Sequence, residues 1–287
     1  MDPMKACREI LRRSGSTFAP AFRVLPSDQR DAMTAFYAFC REVDDAVDGA
    51  EDPSAALQVL DDWRRRVAGV YEDRPGDPVS LALRWSADRF SIRREHLDLV
   101  LDGVEQDLTK SRYGTFDELY EYCYRVASAV GLVCVTVLGD RSDDAGLYAE
   151  LTGIGVQMTN ILRDVGEDAA MGRIYLPMED LRAFGVAPKD ILRQRMTEGL
   201  KRLLRFEALR ARQYYDMAGA ALPPESRHRL FFAEILRETY RELLEMLEGA
   251  DFQVFERRVS VGKARRMGIA LRRRLHPATW LSGGMNG

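Results

Sequence analysis

An all-α fold is predicted by three features of the chain. Apolar residues recur every three or four positions through nearly its whole length. Helix start and stop signals bracket those stretches, and no segment shows strand alternation or an internal repeat. The first helix is expected over roughly 4–13. The second runs from Pro26 to Gly49, with Met33, Phe36, Tyr37, Cys40 and Val47 on one face, Ser27 and Asp28 at its start and Gly49 at its end. Further helices are expected over roughly 54–73, 78–90 and 94–108, with Arg74-Pro75-Gly76-Asp77 as a turn. From Thr115 to Gly139 the face is Leu119, Tyr122, Cys123, Val126, Val130 and Val133. The remaining helices are placed at about 143–168, 188–218, 224–249 and 252–274, with Leu222-Pro223-Pro224 as a break. No break is long enough for a linker, so residues 1–287 are read as a single all-α domain.

The bulk properties narrow the function. A net charge of −3 argues against nucleic-acid binding. Cys7, Cys40, Cys123 and Cys134 form no CxxC pair, which is neither a zinc nor a disulfide pattern and fits a reducing cytoplasm. The start, MDPMKACREILRR, lacks the apolar run of a signal peptide, and no stretch is apolar enough to span a bilayer. His96, His228 and His276 are scattered without HExxH spacing, and Ser128 has no evident histidine partner for a hydrolase triad. Gly153-Ile154-Gly155 lies inside a helical stretch and follows no strand, so it reads as a place of close approach rather than a nucleotide loop.

Two segments carry chemistry. One is Arg41-Glu42-Val43-Asp44-Asp45-Ala46-Val47-Asp48, and the other runs from Gln157 through Asn160, Arg163, Asp164 and Asp168. Asp44 and Asp48 share a helical face; Asn160, Asp164 and Asp168 continue the same spacing, one turn after Gln157. Like charges so stacked weaken an isolated helix by roughly 0.2–0.5 kcal/mol per pair, so a cation should offset them. Magnesium, a hard ion preferring carboxylate, phosphate and water oxygens, is the natural candidate, and several such ions could grip a diphosphate. The alternative is a pair of solvated acidic faces. The apolar setting of the second motif, among Leu151, Ile154, Met158, Ile161 and Leu162, weighs against it. Arg41, Arg163 and Arg173, with Tyr175 nearby, add phosphate-binding donors.

These motifs resemble the squalene/phytoene synthase family of head-to-head prenyl synthases. The resemblance runs from Ser14-Gly15-Ser16-Thr17-Phe18 to Glu256-Arg257-Arg258-Val259. It is strongest at Tyr37 through Asp48, Tyr122 through Gly131 and Gln157 through Pro177. It implies an isoprenoid-synthase helical fold with a central cavity. Asp44, Asp48, Asp164 and Asp168, with Asn160, would hold Mg2+, or Mn2+ in its place. Arg41, Gln157, Asn160, Arg163 and Arg173 would lie around the diphosphates, Tyr37 and Tyr122 near the reacting carbons, Thr17 and Phe18 beside the site, and Arg258 at a late basic position. Phe232 departs from the family, where tyrosine can stand.

Within the family, Ser14 to Asp48 and Tyr122 to Gly131 are most similar to bacterial presqualene diphosphate synthases. That likeness implies two farnesyl diphosphates as substrates and presqualene diphosphate as product, in squalene or hopanoid formation, without NADPH. Phytoene, dehydrosqualene and complete NADPH-dependent squalene synthesis are the neighbouring alternatives, and a noncatalytic helical isoprenoid-binding protein is the alternative of another class. Phe22, Thr34, Phe39, Val126, Ala127, Val130, Leu132, Ile154 and Met158 are candidates for the prenyl tunnel. The C-terminal arginines, among apolar residues, would allow peripheral association with the inner face of a membrane.

Overall fold

The computed structural model describes residues 2–14, 21–262, 265, 268 and 269. Among them the chain forms α1 (Pro3–Arg13), a 3-10 turn (Ala21–Val24), α2 (Ser27–Asp48), α3 (Pro53–Tyr71), α4 (Pro78–Phe90), α5 (Arg94–Thr109) and α6 (Phe116–Cys123). A π-helical turn (Tyr124–Ser128) leads directly into α7 (Ala129–Val137), followed by α8 (Asp143–Ala170), α9 (Met178–Ala183), α10 (Pro188–Leu192), α11 (Glu198–Ala221) and α12 (Phe231–Gly249). Among the described residues the extended pairing is one isolated parallel bridge, Arg112 with Ile174, and the fold is all-α. Thr17, Phe18 and most of the basic C-terminal segment lie outside the described residues.

Side-chain caps start several helices, at Thr115 as expected, whereas α2 starts at Ser27 after Pro26 without a side-chain cap bond. Asp52 accepts from Ala55 N–H, Asp77 from Val79 and Ser80, Thr115 from Glu118, Ser142 from Ala145 and Thr197 from Leu200. Each such cap contributes about 1 kcal/mol.

Three expectations are corrected. The helix expected over 188–218 is broken, because Gln194 takes a left-handed backbone (φ 52°) and Thr197 starts α11 afresh. The helix expected from 224 begins at Phe231. Residues 251–262 are turns and coil rather than helix. Asp251 and Phe252 adopt φ of 48° and 53°, which ends α12. Lys201 and Arg205 bind the Asp251 carboxylate at 2.8 and 2.7 Å, and the Phe252 side chain is buried.

The 28-residue α8 organises the interior. Its first half, with Tyr148, Ala149 and Leu151, joins a core built on α1–α5 and α7. Its second half, with Ile154, Met158, Ile161 and Leu162, joins a core built on α6, α9 and α11–α12. A buried charge pair docks α12: Glu234 Oε1 accepts from Arg237 Nε at 2.7 Å and from Tyr148 O–H at 2.8 Å. Such a pair orients more than it stabilises, because its desolvation offsets most of the attraction.

Close approach explains the Gly153-Ile154-Gly155 segment. A Cβ on Gly153 would meet Ser128 Cα at 2.5 Å and Ser128 N at 2.6 Å, and one on Gly155 would meet the Tyr215 ring at 2.7 Å. α8 can therefore press against the π turn only where it lacks a side chain. That turn also rotates the Thr115–Gly139 stretch, so Val126 and Val130 stay half-buried while Ser128, Ala129 and Val133 are buried.

Gly153→Ala is expected to lower stability by about 1–3 kcal/mol in urea unfolding. Gly146→Ala, on the same helix with its nearest neighbour atom at 4.0 Å, is expected to be neutral or stabilising by up to ~1 kcal/mol. Equal effects of the two changes would show that the contact with Ser128 carries no strain.

Candidate active site

Both acidic segments occupy the C-terminal ends of their helices. Asp44 and Asp48 close α2, Asp164 and Asp168 close α8, and neither helix has a basic residue in its last turn. This reverses the usual preference, since the carbonyl end of a helix carries partial negative charge. Burial and repulsion together hold two of the carboxyls above the usual carboxylate range. Desolvation, then Asp48, push the Asp44 carboxyl up to about 6 against the pull of Arg41. Asp44 is exposed to solvent all the same. Desolvation, then Asp164, push Asp168 up to about 7 against the pull of Arg173.

The two acidic ends meet at a residue the sequence reading passed over, Asp107 on α5. Asp107 bears electrostatically on Asp44 and on Asp168, and Asp48 bears on it in turn. Its oxygens accept hydrogen bonds from Tyr122 O–H at 3.0 Å and Tyr175 O–H at 2.8 Å. The rings of Tyr113, Tyr122 and Tyr175 pack together with centroids 5.3–5.7 Å apart. Backbone bonds hold this cluster: Ile174 N–H to Ser111 O at 3.1 Å and Met178 N–H to Tyr113 O at 2.8 Å tie the loop after α5 to the segment carrying Arg173 and Tyr175. One sequence signal was present, a carboxylate in line with Val100 and Gly103 on the buried stripe of α5.

The basic and amide residues surround this centre unequally. Arg173 lies near Asp107 and Asp168 and makes no side-chain ion pair among the described residues. Arg163 Nε binds Asp164 at 2.7 Å. Arg258 spans Asp164 at 3.3 Å and Glu167 at 3.5 Å from the coil after α12. Arg41 pairs with Asp45 rather than with Asp44. Asn160 donates to Gln157 Oε1 at 3.3 Å, while its own Oδ1 is buried without a hydrogen-bond partner. Tyr240 of α12, also missed in the sequence, is raised by its burial and interacts with Arg163 and Asn160. Phe232 packs against Phe22 at 5.7 Å, so the phenol at this end comes from Tyr240, two turns further along.

Tyr37 donates to Ser14 Oγ at 3.0 Å and stays half-buried. Of the tunnel candidates, Val126, Ala127, Val130 and Leu132 keep accessible surface, whereas Phe39 is fully buried against Trp63 and Thr34 and Ile154 are core. A cavity of about 480 Å³ lies beside Glu42, Ala46 and Trp63, on the face of α2 away from Asp44 and Asp48, and is not part of this centre.

Among the described residues no three His, Cys, Asp or Glu side chains form a ready-made metal cluster. The donors nevertheless fit a hard divalent ion: the Asp44 and Asp168 carboxyls, raised by burial and then by their neighbouring carboxylates, and the amide oxygen of Asn160, which is buried without a hydrogen-bond partner. Each acidic end would supply part of such an ion's coordination sphere, with oxygens of a bound anion or water as the remainder.

The all-α architecture is that of an isoprenoid-synthase fold. The chain matches the squalene/phytoene synthase family over residues 11–265, and it belongs to that family. It is 36% identical over 282 residues to the phytoene synthase of Arthrospira platensis, covering 93% of this chain and 90% of that protein. It is 34% identical to the chloroplastic phytoene synthase 2 of Oryza sativa subsp. japonica, covering 93% of this chain and 68% of that one. A dehydrosqualene synthase solved with a ligand superposes with a TM-score of 0.85 at 30% identity, over 96% of this chain and 97% of that one. The squalene synthase HpnC from Alicyclobacillus acidocaldarius superposes with a TM-score of 0.79 at 25% identity, over 87% and 94%. The chain is thus a prenyl-condensing transferase of the head-to-head class. No helix among the described residues is long and apolar enough to cross a membrane.

Because Asp168 is raised in the folded protein from an unfolded value of about 3.9, its ionisation weakens the metal-free protein. That contribution is fully favourable below about pH 4 and is lost as pH rises through about 7. Asp168→Asn is therefore expected to raise the Tm of the metal-free protein by a few degrees at pH 8 and to leave it unchanged at pH 4. Scanning calorimetry with EDTA checks this; a lower Tm at pH 8 would mean that Asp168 is stabilised as a charge rather than strained.

Proposed function

We propose that this chain joins two allylic prenyl diphosphates head to head in the recess between α2 and α8, in a magnesium-dependent reaction. The observation that carries this reading is the convergence of Asp44, Asp48 and Asp168 on one carboxylate, Asp107, with Arg173 unpaired beside it among the described residues. Magnesium, when bound to Asp44, Asp48, Asn160, Asp164 and Asp168, supplies Lewis-acid neutralisation of a leaving diphosphate. Mn2+ suits the same oxygen donors.

The residues do the rest by position. Arg173 donates to diphosphate oxygens, and Arg163, Arg258, Gln157 and Tyr240 close the end of α8 around them. The electron-rich faces of Tyr37 and Tyr122 border the reacting carbons and favour an allylic cation over its neutral precursor. Val126, Ala127 and Val130 line the way for the hydrocarbon chains and keep out water that would trap the cation.

On chain length, the named relatives favour C20 substrates and phytoene as product, ahead of the C15 substrates and presqualene diphosphate expected from the motif segments. The C15 reading keeps one specific support, the superposition on a dehydrosqualene synthase at 30% identity. Neither product requires NADPH. A cytoplasmic setting with peripheral contact to a membrane suits the oily product.

Purified protein with labelled C15 and C20 diphosphates, Mg2+, and NADPH present or absent is expected to release diphosphate and give phytoene from the C20 substrate. Presqualene diphosphate from C15, with C20 unreacted, would overturn the C20 reading and leave the class intact. NADPH-dependent squalene would overturn both. Asp48→Asn and Asp164→Asn are each expected to cut turnover by on the order of 100-fold or more while leaving the helical circular dichroism unchanged. Wild-type turnover in a folded variant would remove that residue from the metal site.

A further inference from the structure

We infer that Asp107 is a positioning residue for the condensation. It accepts hydrogen bonds from both the Tyr122 and Tyr175 phenols, so that the Tyr122 oxygen turns a lone pair rather than a proton toward the reacting carbons. This rests on the proposed placement of Tyr122 beside those carbons.

The geometry is specific. Tyr122 O–H reaches Oδ2 at 3.0 Å and Tyr175 O–H reaches Oδ1 at 2.8 Å, so each carboxylate oxygen holds one phenol. The two tyrosine rings stack at 5.3 Å with planes 29° apart, and Tyr113 packs against both. Gln106 supports Tyr113 O–H at 3.4 Å and is itself held by Arg125 at 2.8 Å. The phenols also interact with each other, and burial raises both, so they keep their protons and act as donors. The carboxylate, two hydroxyls and three rings therefore form one unit anchored on α5, on the helix before the π turn and on the segment after α8.

Two consequences follow from the chemistry of an allylic cation. A phenol whose proton is committed to a carboxylate has a more electron-rich oxygen and ring, and stabilises nearby positive charge better than a free phenol. A phenol free to rotate would instead donate to a diphosphate oxygen. The phenols in turn cover Asp107. A bare carboxylate beside a carbocation would attack it and form an ester, whereas one whose oxygens each accept a hydrogen bond is shielded and less nucleophilic.

The test uses the full chain with Mg2+ and whichever prenyl diphosphate it converts, in Asp107→Asn, Tyr122→Phe and the double variant. Asparagine keeps the shape but turns one acceptor into a donor. Asp107→Asn is expected to lower kcat by roughly 10- to 100-fold, the usual cost of losing a supporting partner. KM and the Mg2+ concentration for half-maximal rate should stay within about threefold of wild type. The double variant should be no slower than the slower single one, since both changes break one unit. Asp107→Ala should also show a blue-shifted tyrosine ultraviolet difference spectrum in the absence of substrate. Wild-type kcat in Asp107→Asn, strictly multiplicative losses, or a rise in the Mg2+ requirement matching the fall in kcat would each overturn the inference. Wild-type kcat in Tyr122→Phe would instead overturn the placement of Tyr122. Should Asp107→Asn not fold, the same cycle between Tyr122→Phe and Tyr175→Phe reads the shared carboxylate, and multiplicative losses there overturn the inference equally.

Discussion

Asp44 and Asp48 end α2 and Asp164 and Asp168 end α8, so the four carboxylates lie at the negative poles of two helix dipoles. Each pair repels itself, each is disfavoured by its own helix, and both bear on a fifth carboxylate, Asp107 on α5. A protein selected for stability alone would place lysine or arginine at these helix ends. Here the unfavourable charge is kept, and the surrounding structure is arranged to tolerate it, as the proposed binding of cations and diphosphate would require.

The tolerance is built from the protein's own polar groups. Two phenols satisfy Asp107, Arg163 and Arg258 brace Asp164, and Arg173 lies near Asp168 and Asp107. The backbone bonds between residues 111–114 and 174–179 matter as much as any side chain, because they bring Arg173 and Tyr175 over α5. α12 contributes Tyr240 from its far side, and the buried Glu234–Arg237 pair fixes how that helix docks. The centre thus combines helix ends with loop segments that backbone bonds tie down.

The hydrocarbon end of the site follows different rules. Its candidate lining, Val126, Ala127 and Val130, sits on and beside the π turn, where the extra residue rotates the helix face. Gly153 lets α8 press against that turn at Ser128, where an added Cβ would meet backbone atoms. Under the proposed function, the packing at this turn is where chain length would be decided, apart from the acidic centre. This is a physical reason why enzymes named for phytoene, dehydrosqualene and squalene share one fold and similar motifs.

Periodicity and caps determined the helices up to α8 closely, because amphipathic spacing and Asp, Ser and Thr caps are local properties of the chain. The four aspartates, Asn160 and the adjacent arginines were legible for the same reason: spacing along one helix fixes which side chains share its face. What lies across helices was not legible. Asp107 and Tyr240 are single polar residues in ordinary amphipathic helices, and only packing brings them to Tyr122, Tyr175, Arg163 and Asn160. The breaks at Gln194 and Asp251 were hidden too, since the left-handed backbone there is held by tertiary contacts, Gln194 to Gly166 O and Asp251 to Lys201 and Arg205, and not by glycine. The sequence by itself determined the helices and the charges they carry. The tertiary structure decided which charges meet, because repulsion between carboxylates on different helices depends on distances that no local pattern records.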